Sequence, residues 1–232
     1  DVILLVSIDT ETKTVSAVSF PRDLWVELPG MGGMKINMVQ GLGGFEATQS
    51  MFETSFNVHP DYYVLTNFQG FQTIIDSLGG IDVVIGQELT DDCDLPQQID
   101  GDCTVVPGTL HMDGQTALWY VRSRHTSSDF DRMRRMQEVM TAAFKQLMSL
   151  NALSRIAELY DEFANSVETN LRIKDILRLA PVATEVFDSP EKIRTAAVGE
   201  DYGTEMLSWN GMWILLPDLP RVQELLRETG VE

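Results

Sequence analysis

The pattern of hydrophobic and polar positions predicts short strands that alternate with helices. An apolar run over Val2–Ile8 is typical of a buried strand, and the alternating, β-branched segment Thr14–Phe20 is predicted to pair back with it. Short apolar segments bounded by turn residues predict further strands at Tyr62–Leu65, Ile81–Ile85 and Met212–Leu216.

Apolar residues at helical spacing predict the helices of the chain. They fall at Phe45–Phe56, Phe68–Leu78, Phe130–Leu150, Ala152–Val167, Arg172–Phe187 and Leu219–Glu228. Strands and helices alternate without repeats or an obvious linker. This order predicts one α/β domain over residues 1–232, with a central mixed β-sheet flanked by helices.

Charge excludes several classes of function. The chain has 232 residues and a net charge of -18, from 17 Lys and Arg against 35 Asp and Glu. A broad basic face for nucleic acid, or a polybasic helix for a membrane surface, is therefore excluded. No apolar run reaches the ~18–20 residues that span a bilayer. Because a buried strand follows Asp1 directly, we expect that an upstream segment holding an anchor or signal is missing. We also expect that this chain is the soluble extracellular part of the protein.

The only two cysteines, Cys93 and Cys103, lie in a polar segment that contains no histidine. A zinc site is disfavoured for that reason, and a local disulfide is favoured over two buried thiols. Such a bridge stabilises by about 2–3 kcal/mol in the chain-entropy model. If it forms, the protein functions outside the reducing cytosol.

The arginines are concentrated in one short part of this acidic chain. Five of the 17 cationic residues lie between positions 122 and 135, namely Arg122, Arg124, Arg132, Arg134 and Arg135. Clustered like charges repel one another, so an anion or a set of carboxylates must compensate them. Planar guanidinium groups are suited to a phosphate or pyrophosphate.

The first two of these arginines are predicted on a strand. In Ala117–Arg124, the strand period places Leu118, Tyr120, Arg122 and Arg124 on one face. Two arginines on one face repel unless an anion lies between them or carboxylates from elsewhere pair with them. Both explanations remain open at this point.

The other arginines lie on the following helix. Ser127, Ser128 and Asp129 are suitable capping residues, which places Arg132 in or near the first turn. A cation opposes the helix dipole there, whereas a docked anion is favoured by the free N–H groups. Arg132 would border the buried stripe with Arg135 beside it, and Arg134 would face solvent. The predicted stripe consists of Met133, Met136, Met140 and Leu147.

The chain resembles the LytR-CpsA-Psr family of cell-wall glycopolymer ligases. The matching segments are Ser19-Phe-Pro-Arg-Asp23, Met34-Lys-Ile-Asn37, Ile75-Asp-Ser-Leu-Gly-Gly-Ile-Asp-Val83, Met112-Asp-Gly-Gln-Thr-Ala-Leu-Trp-Tyr-Val-Arg-Ser-Arg124 and Asp129-Phe-Asp-Arg132. They occur in order over residues 1 to about 150.

The resemblance implies a hydrophobic lipid-binding pocket that holds a polyprenyl-pyrophosphate-linked glycan, with Mg²⁺ bridging the pyrophosphate. It implies transfer of the glycan phosphate to peptidoglycan or another wall glycan, outside the cytoplasm and from a membrane-anchored protein. A sugar hydroxyl would attack the glycan-side phosphorus, and polyprenyl phosphate would leave. Hydrolysis of the same pyrophosphate, and non-catalytic binding of a lipid-linked glycan, are the alternatives.

The resemblance also assigns roles to residues of this chain. Asp1 corresponds to a metal-side aspartate, and Arg135 to a recurrent arginine. Asp129 and Asp131 correspond to carboxylates that orient arginines or act as base. Met136 replaces a glutamine that is usual in the family. The predicted pyrophosphate-binding arginines are Arg22, Arg122, Arg124, Arg132 and Arg135, and the first four of these are also the predicted catalytic residues.

Overall fold

The computed structural model describes residues 2–123, 129–150, 154, 156–163 and 165–231. The chain forms two compact units. The terminal unit consists of residues 1–63 and 188–232, and the central unit consists of residues 64–187.

Both units combine strands and helices. The strands in the described residues are β1 (Ile3–Asp9), β2 (Thr14–Phe20), β3 (Trp25–Leu28), β4 (Gly32–Lys35), β5 (Val64–Leu65), β6 (Ile81–Ile85), β7 (Leu89–Asp92), β8 (Asp102–Val105), β9 (Gly108–Met112), β10 (Glu168–Thr169), β11 (Ile193–Ala197), β12 (Gly203–Leu207) and β13 (Trp213–Pro217). The α-helices are α1 (Ile36–Phe56), α2 (Phe68–Ser77), α3 (Gly114–Arg122), α4 (Asp129–Ser149), α5 (Ile156–Phe163), α6 (Ile173–Asp188) and α7 (Leu219–Thr229).

The terminal unit contains a three-stranded mixed sheet in the order β1-β2-β11. β1 and β2 are antiparallel, and their turn is held by the Asp9 carboxylate, which accepts from the amides of Glu11 and Thr12 at 2.8 and 3.0 Å. β11 adds parallel to β2. The predicted α/β class with a mixed sheet is confirmed, although β11 is not among the predicted strands.

Aromatic packing fixes the end of β2, where the chain approaches Arg22. The Phe20 ring is buried and its centroid lies 5.5 Å from that of Phe52 and 5.2 Å from that of Phe56, both on α1. Full burial of such a side chain stabilises by about 1.5–3 kcal/mol. Arg22, two residues after Phe20, therefore leaves the core from a well-fixed backbone.

Helix α1 is longer than predicted and is interrupted in its middle. Gly43 and Gly44 have non-helical backbone angles, and Gly44 has a φ of +63°. A positive φ is readily adopted by glycine, so the chain changes direction there without strain. The predicted helix Phe45–Phe56 corresponds to the half of α1 after this interruption.

The central unit packs three helices and a strand pair around its own core. β6 pairs antiparallel with β9, and the side chains of Ile81, Val83 and Ile85 are buried. Helix α4 packs on β6, and α3 packs on both α2 and α4. The hairpin of β7 and β8 is closed by a disulfide between Cys93 and Cys103, which confirms the predicted bridge.

The prediction of a strand over Ala117–Arg124 is wrong. Residues 114–122 form helix α3, and the Asp113 side chain caps it by accepting from the Thr116 amide at 2.8 Å. A short apolar run does not distinguish a strand from a helix, and here the cap decides. Arg122 therefore lies in the last turn of a helix, where a cation is favoured by the helix dipole.

Other boundaries differ less. The predicted strands Thr14–Phe20 and Ile81–Ile85 coincide with β2 and β6. The predicted helix Ala152–Val167 is shorter in the described residues, where α5 spans Ile156–Phe163. Among the described residues, no helix combines the length and the apolar character needed to cross a membrane.

Candidate functional site

Arg122 is the exposed arginine at the C-terminal end of α3. Its guanidinium carbon lies 4.2 Å from the centroid of the Phe68 ring, at the start of α2. A guanidinium over an aromatic face is attracted by the ring quadrupole. Because the N–H bonds lie in the guanidinium plane, this stacking orients Arg122 without using its donors. The N–H groups of Arg122 are therefore not used by the stacking and can bind an anion.

Arg135 is nearly completely buried, with 2% of its surface exposed. Its Nη2 donates to the backbone carbonyl of Ser123, the residue after Arg122, and its guanidinium lies 5.7 Å from the Tyr120 ring centroid. Burial lowers the pKa of Arg135, while the neighbouring Tyr120 and Asp131 favour the charged form. Arg135 therefore ties α4 to the end of α3.

Arg132 lies one turn before Arg135 and is also buried, with 7% of its surface exposed. The predicted position in the first turn of α4 is confirmed. The buried face of α4 runs along Arg132, Arg135, Val139 and Ala142, at helical spacing. The predicted methionine stripe is wrong at Met140, which is 47% exposed. Met133 is 4% exposed, and Met136 and Leu147 pack partly buried against the core, so the rest of the predicted stripe is confirmed.

Helical periodicity predicts that Arg134 faces solvent. In the structure, Arg134 takes part in a polar network. Its Nη1 donates to Glu138 Oε1 at 2.6 Å, and its Nη2 lies 3.8 Å from Asp131 Oδ1. The buried Tyr120 hydroxyl donates to the other Glu138 oxygen at 2.7 Å. Glu138 was not predicted, although its spacing of four residues from Arg134 is the signal of a helical ion pair.

Arg22 lies in the terminal unit beside a shared carboxylate. Arg22 Nε donates to Asp23 Oδ2 at 3.2 Å, and Lys35 Nζ donates to Asp23 Oδ1 at 2.6 Å. Burial of Asp23 acts to raise its pKa, but the hydrogen bond and charge of Lys35, with the charge of Arg22, outweigh burial and lower it. Asp23 therefore orders two cations that could face one anion.

Three predicted site positions are not described. Asp1 and Arg124 lie outside the described residues, and Asp129 is described only as the first residue of α4, without its side chain. Their predicted roles stay predictions. Within the residues that the structure describes, no group of three or more His, Cys, Asp and Glu side chains is placed to hold a metal ion.

A cleft of about 430 Å³ opens beside Arg122 in the central unit. The Cys93–Cys103 loop forms one wall, and Trp119 of α3 packs against it. The Nε1 of Trp119 donates to the Asp92 carbonyl at 2.9 Å. Residues that line the cleft include Gln72, Asp91, Asp94, Gln115, Trp119 and Arg122. The sequence gives no sign of this cleft, since its walls come from separate elements.

The LytR_cpsA_psr family model matches residues 1–229, and the chain therefore belongs to that family. The resemblance inferred from the motifs is confirmed.

Individual relatives extend this result. The chain is 30% identical over 202 residues to the polyisoprenyl-teichoic acid–peptidoglycan teichoic acid transferase TagT of Bacillus subtilis, covering 87% of this chain and 62% of that protein. It is 30% identical over 221 residues to the corresponding transferase TagU of Oceanobacillus iheyensis, covering 92% and 64%. The chain thus spans less than two thirds of the length of these relatives.

Solved structures show the same fold. The crystal structure of B. subtilis TagV is similar with a TM-score of 0.81 and 28% identity, over 99% of this chain and 88% of that one. A structure of TagT bound to LI-WTA gives a TM-score of 0.75 and 27% identity, over 99% and 83%.

Proposed function

We propose that this protein transfers a glycopolymer from a polyprenyl pyrophosphate carrier to a cell-wall acceptor such as peptidoglycan. The observation that carries the proposal is the junction of α3 and α4, where the exposed Arg122 is oriented by Phe68 and backed by the buried Arg135. Membership of the LytR-CpsA-Psr family, and relatives named as teichoic acid transferases, support it.

The reaction is a displacement at phosphorus. A hydroxyl oxygen of the acceptor forms a bond to the glycan-side phosphorus, and the bond from that phosphorus to the bridging oxygen breaks. Polyprenyl phosphate leaves with the electron pair, and the hydroxyl proton passes to a base that is not assigned. Such a reaction requires charge neutralisation more than covalent participation by the protein.

The arginines divide this task according to their exposure. Arg122 presents its N–H edge at the surface and would contact the pyrophosphate. Arg135 is 2% exposed and holds the Ser123 carbonyl, so we assign it to positioning Arg122 rather than to contact. Arg22, which donates to Asp23, and Arg124 and Arg132 keep the roles that the family resemblance predicts for them.

We include Mg²⁺ in the proposal, with Asp1 as its protein ligand. When bound, it would neutralise pyrophosphate charge as a hard cation held by oxygen atoms.

We further propose that the protein acts outside the cytoplasm. The disulfide between Cys93 and Cys103 supports this location, because such bridges persist in oxidising compartments and are rare in the cytosol. Cell-wall acceptors named for the relatives are consistent with it.

The test is a transfer assay with the purified chain, a polyprenyl-pyrophosphate-linked saccharide and peptidoglycan fragments. Arg122→Ala is expected to lower kcat/KM about 10- to 100-fold, the loss of one or two charge-assisted hydrogen bonds. Arg122→Lys should recover only part, because lysine lacks the planar fork. Arg178→Ala, at an exposed arginine of α6, is the matched control.

The products decide between the remaining functions. Glycan phosphate that appears without linkage to peptidoglycan would identify a pyrophosphate hydrolase. Stoichiometric lipid binding without turnover would identify a binding module. Transfer that is unchanged by Arg122→Ala would contradict the assignment of the arginine junction.

A further inference from the structure

Apart from Arg122 at one end, the residues that line the cleft have no role in the phosphorus chemistry described above. Its volume of about 430 Å³ lies in the range of small-molecule sites. Its walls come from α2, from the end of β7 with the following segment that includes Cys93, and from α3. The disulfide and the close packing of α2 on α3 fix these walls. At Gly114, an added side-chain carbon would approach the Gln72 backbone to 2.4 Å.

The polar groups that line the cleft suit a ligand rich in hydroxyl groups. The exposed carboxylate of Asp94 offers only acceptors, while the amides of Gln72 and Gln115 offer donors and acceptors. A hydroxyl both donates and accepts, so a saccharide can use both kinds of group. Because Asp94, Gln72 and Gln115 are all polar, a purely apolar ligand would displace water from them without offering hydrogen bonds in return.

Trp119 adds an apolar surface to the same cleft. Its indole packs against the disulfide, and its N–H is already used by the Asp92 carbonyl at 2.9 Å. The part of the ring that faces the cleft can therefore contact a ligand only through its apolar edge or face. The C–H groups of a sugar ring are suited to such a surface, since aromatic side chains contribute large apolar contact areas.

The charges decide which saccharide the cleft prefers. Three aspartates line it, against a single guanidinium at the Arg122 end. A phosphate-bearing sugar placed among these carboxylates would be repelled, whereas an uncharged sugar would not. We propose that this cleft is an acceptor subsite that binds an uncharged, hydroxyl-rich saccharide unit next to Arg122. The assignment as acceptor rests on the proposed transfer function, and the binding of the saccharide does not.

Binding is tested first, without any reaction. The probe is the uncharged tetramer of β-1,4-linked N-acetylglucosamine. Its binding to the wild-type chain is measured by ligand-observed NMR. Asp94→Asn and Gln115→Ala change exposed positions and are each expected to weaken binding about 5- to 10-fold, as for the loss of one or two hydrogen bonds. Asp102→Asn, at an exposed aspartate of the same hairpin that does not line the cleft, should bind as wild type does.

The second arm separates acceptor from donor. In the transfer assay, Asp94→Asn and Gln115→Ala should raise the KM for the acceptor and leave the KM for the lipid-linked donor unchanged. A rise in the donor KM instead, or preferential binding of N-acetylglucosamine 1-phosphate over the tetramer, would overturn the acceptor assignment. Absence of tetramer binding in an active wild-type protein would overturn the subsite but not the proposed function. Binding without any transfer would contradict the proposed function and retain the saccharide site.

Discussion

The guanidinium carbon of Arg122 lies 4.2 Å above the ring of Phe68, and the packing of two helices sets this distance. Gly114 at the start of α3 lies against the backbone of Gln72, one helical turn after Phe68. Two turns further along α3 the chain reaches Arg122, so the helices run in opposite directions past each other. An added side chain at Gly114 would separate them, and the stacked pair depends on this close approach.

Replacement of Phe68 is expected to weaken donor binding without unfolding the protein. Phe68→Leu keeps an apolar side chain but removes the aromatic face, which at an exposed site contributes about 0.5–1 kcal/mol. We expect the KM for the lipid-linked donor to rise about 2- to 5-fold. The ring is 56% exposed, so the free energy of unfolding should change little.

A matched variant distinguishes orientation of Arg122 from bulk packing. Phe68→Tyr keeps the aromatic face and should retain the wild-type KM. An equal loss in the Tyr and Leu variants, or a fall in kcat with an unchanged KM, would contradict the role assigned to the ring.

The Tyr120–Glu138 pair predicts a dependence of stability on alkaline pH. Burial, and then the hydrogen bond and charge of Glu138, raise the pKa of Tyr120. The folded state therefore retains this proton at a pH where an unfolded tyrosine, with a pKa of about 10, releases it. The contribution is fully present below the unfolded pKa and is lost as pH rises through the folded pKa, so the free energy of unfolding should fall above about pH 10.

Urea unfolding across that range measures the effect. Tyr120→Phe is expected to reduce the decline, while Tyr62→Phe, at an exposed ring, should keep the wild-type slope. An identical slope in the Tyr120→Phe variant would show that other groups cause the decline.

Local signals predicted most elements of the chain but not the arrangement of its arginines. β2 and β6 were predicted with their observed ends, because a bounded, β-branched segment is a local feature. Helix α3 was predicted as a strand, since its apolar run is too short to show a period. The Asp113 cap is the signal that would have corrected this prediction.

Contacts between distant segments explain what could not be predicted. Arg135 is buried because Ser123 and Tyr120 of the α3 segment meet it, a relationship that no spacing within α4 contains. Phe68 and Arg122 are likewise separated by 54 positions and meet only through the α2–α3 packing. The family motifs single out Arg122, whose role at the pyrophosphate stays a prediction, whereas the groups that orient it belong to segments distant in the sequence.

The shared carboxylate of Asp23 predicts a dependence of stability on acidic pH. Lys35 and Arg22 lower its pKa despite partial burial. The contribution is present above the unfolded pKa of about 3.9 and is lost as pH falls through the lower, folded pKa. Asp23→Asn should therefore reduce the free energy of unfolding at neutral pH by about 1–3 kcal/mol, and the difference from wild type should shrink in acid.

Thermal unfolding at neutral and acidic pH, with Asp188→Asn at an exposed aspartate as control, measures this difference. Loss of transfer activity should accompany it, because Asp23 orders Arg22. A constant difference at every pH would indicate that Asp23 stabilises through packing alone.

Reduction of the disulfide is expected to act on Trp119 as well as on global stability. Opening the bridge between Cys93 and Cys103 lengthens the accessible loop in the unfolded state and costs about 2–3 kcal/mol in the chain-entropy model. The indole of Trp119 loses the neighbour against which it packs, so its fluorescence should change before the protein unfolds. Trp119→Phe identifies that signal among the 4 tryptophans.

The variant with both cysteines replaced by serine should show the lower stability without any response to a reducing agent. Equal stability of oxidised and reduced protein would mean that β7 and β8 hold the loop without the bridge.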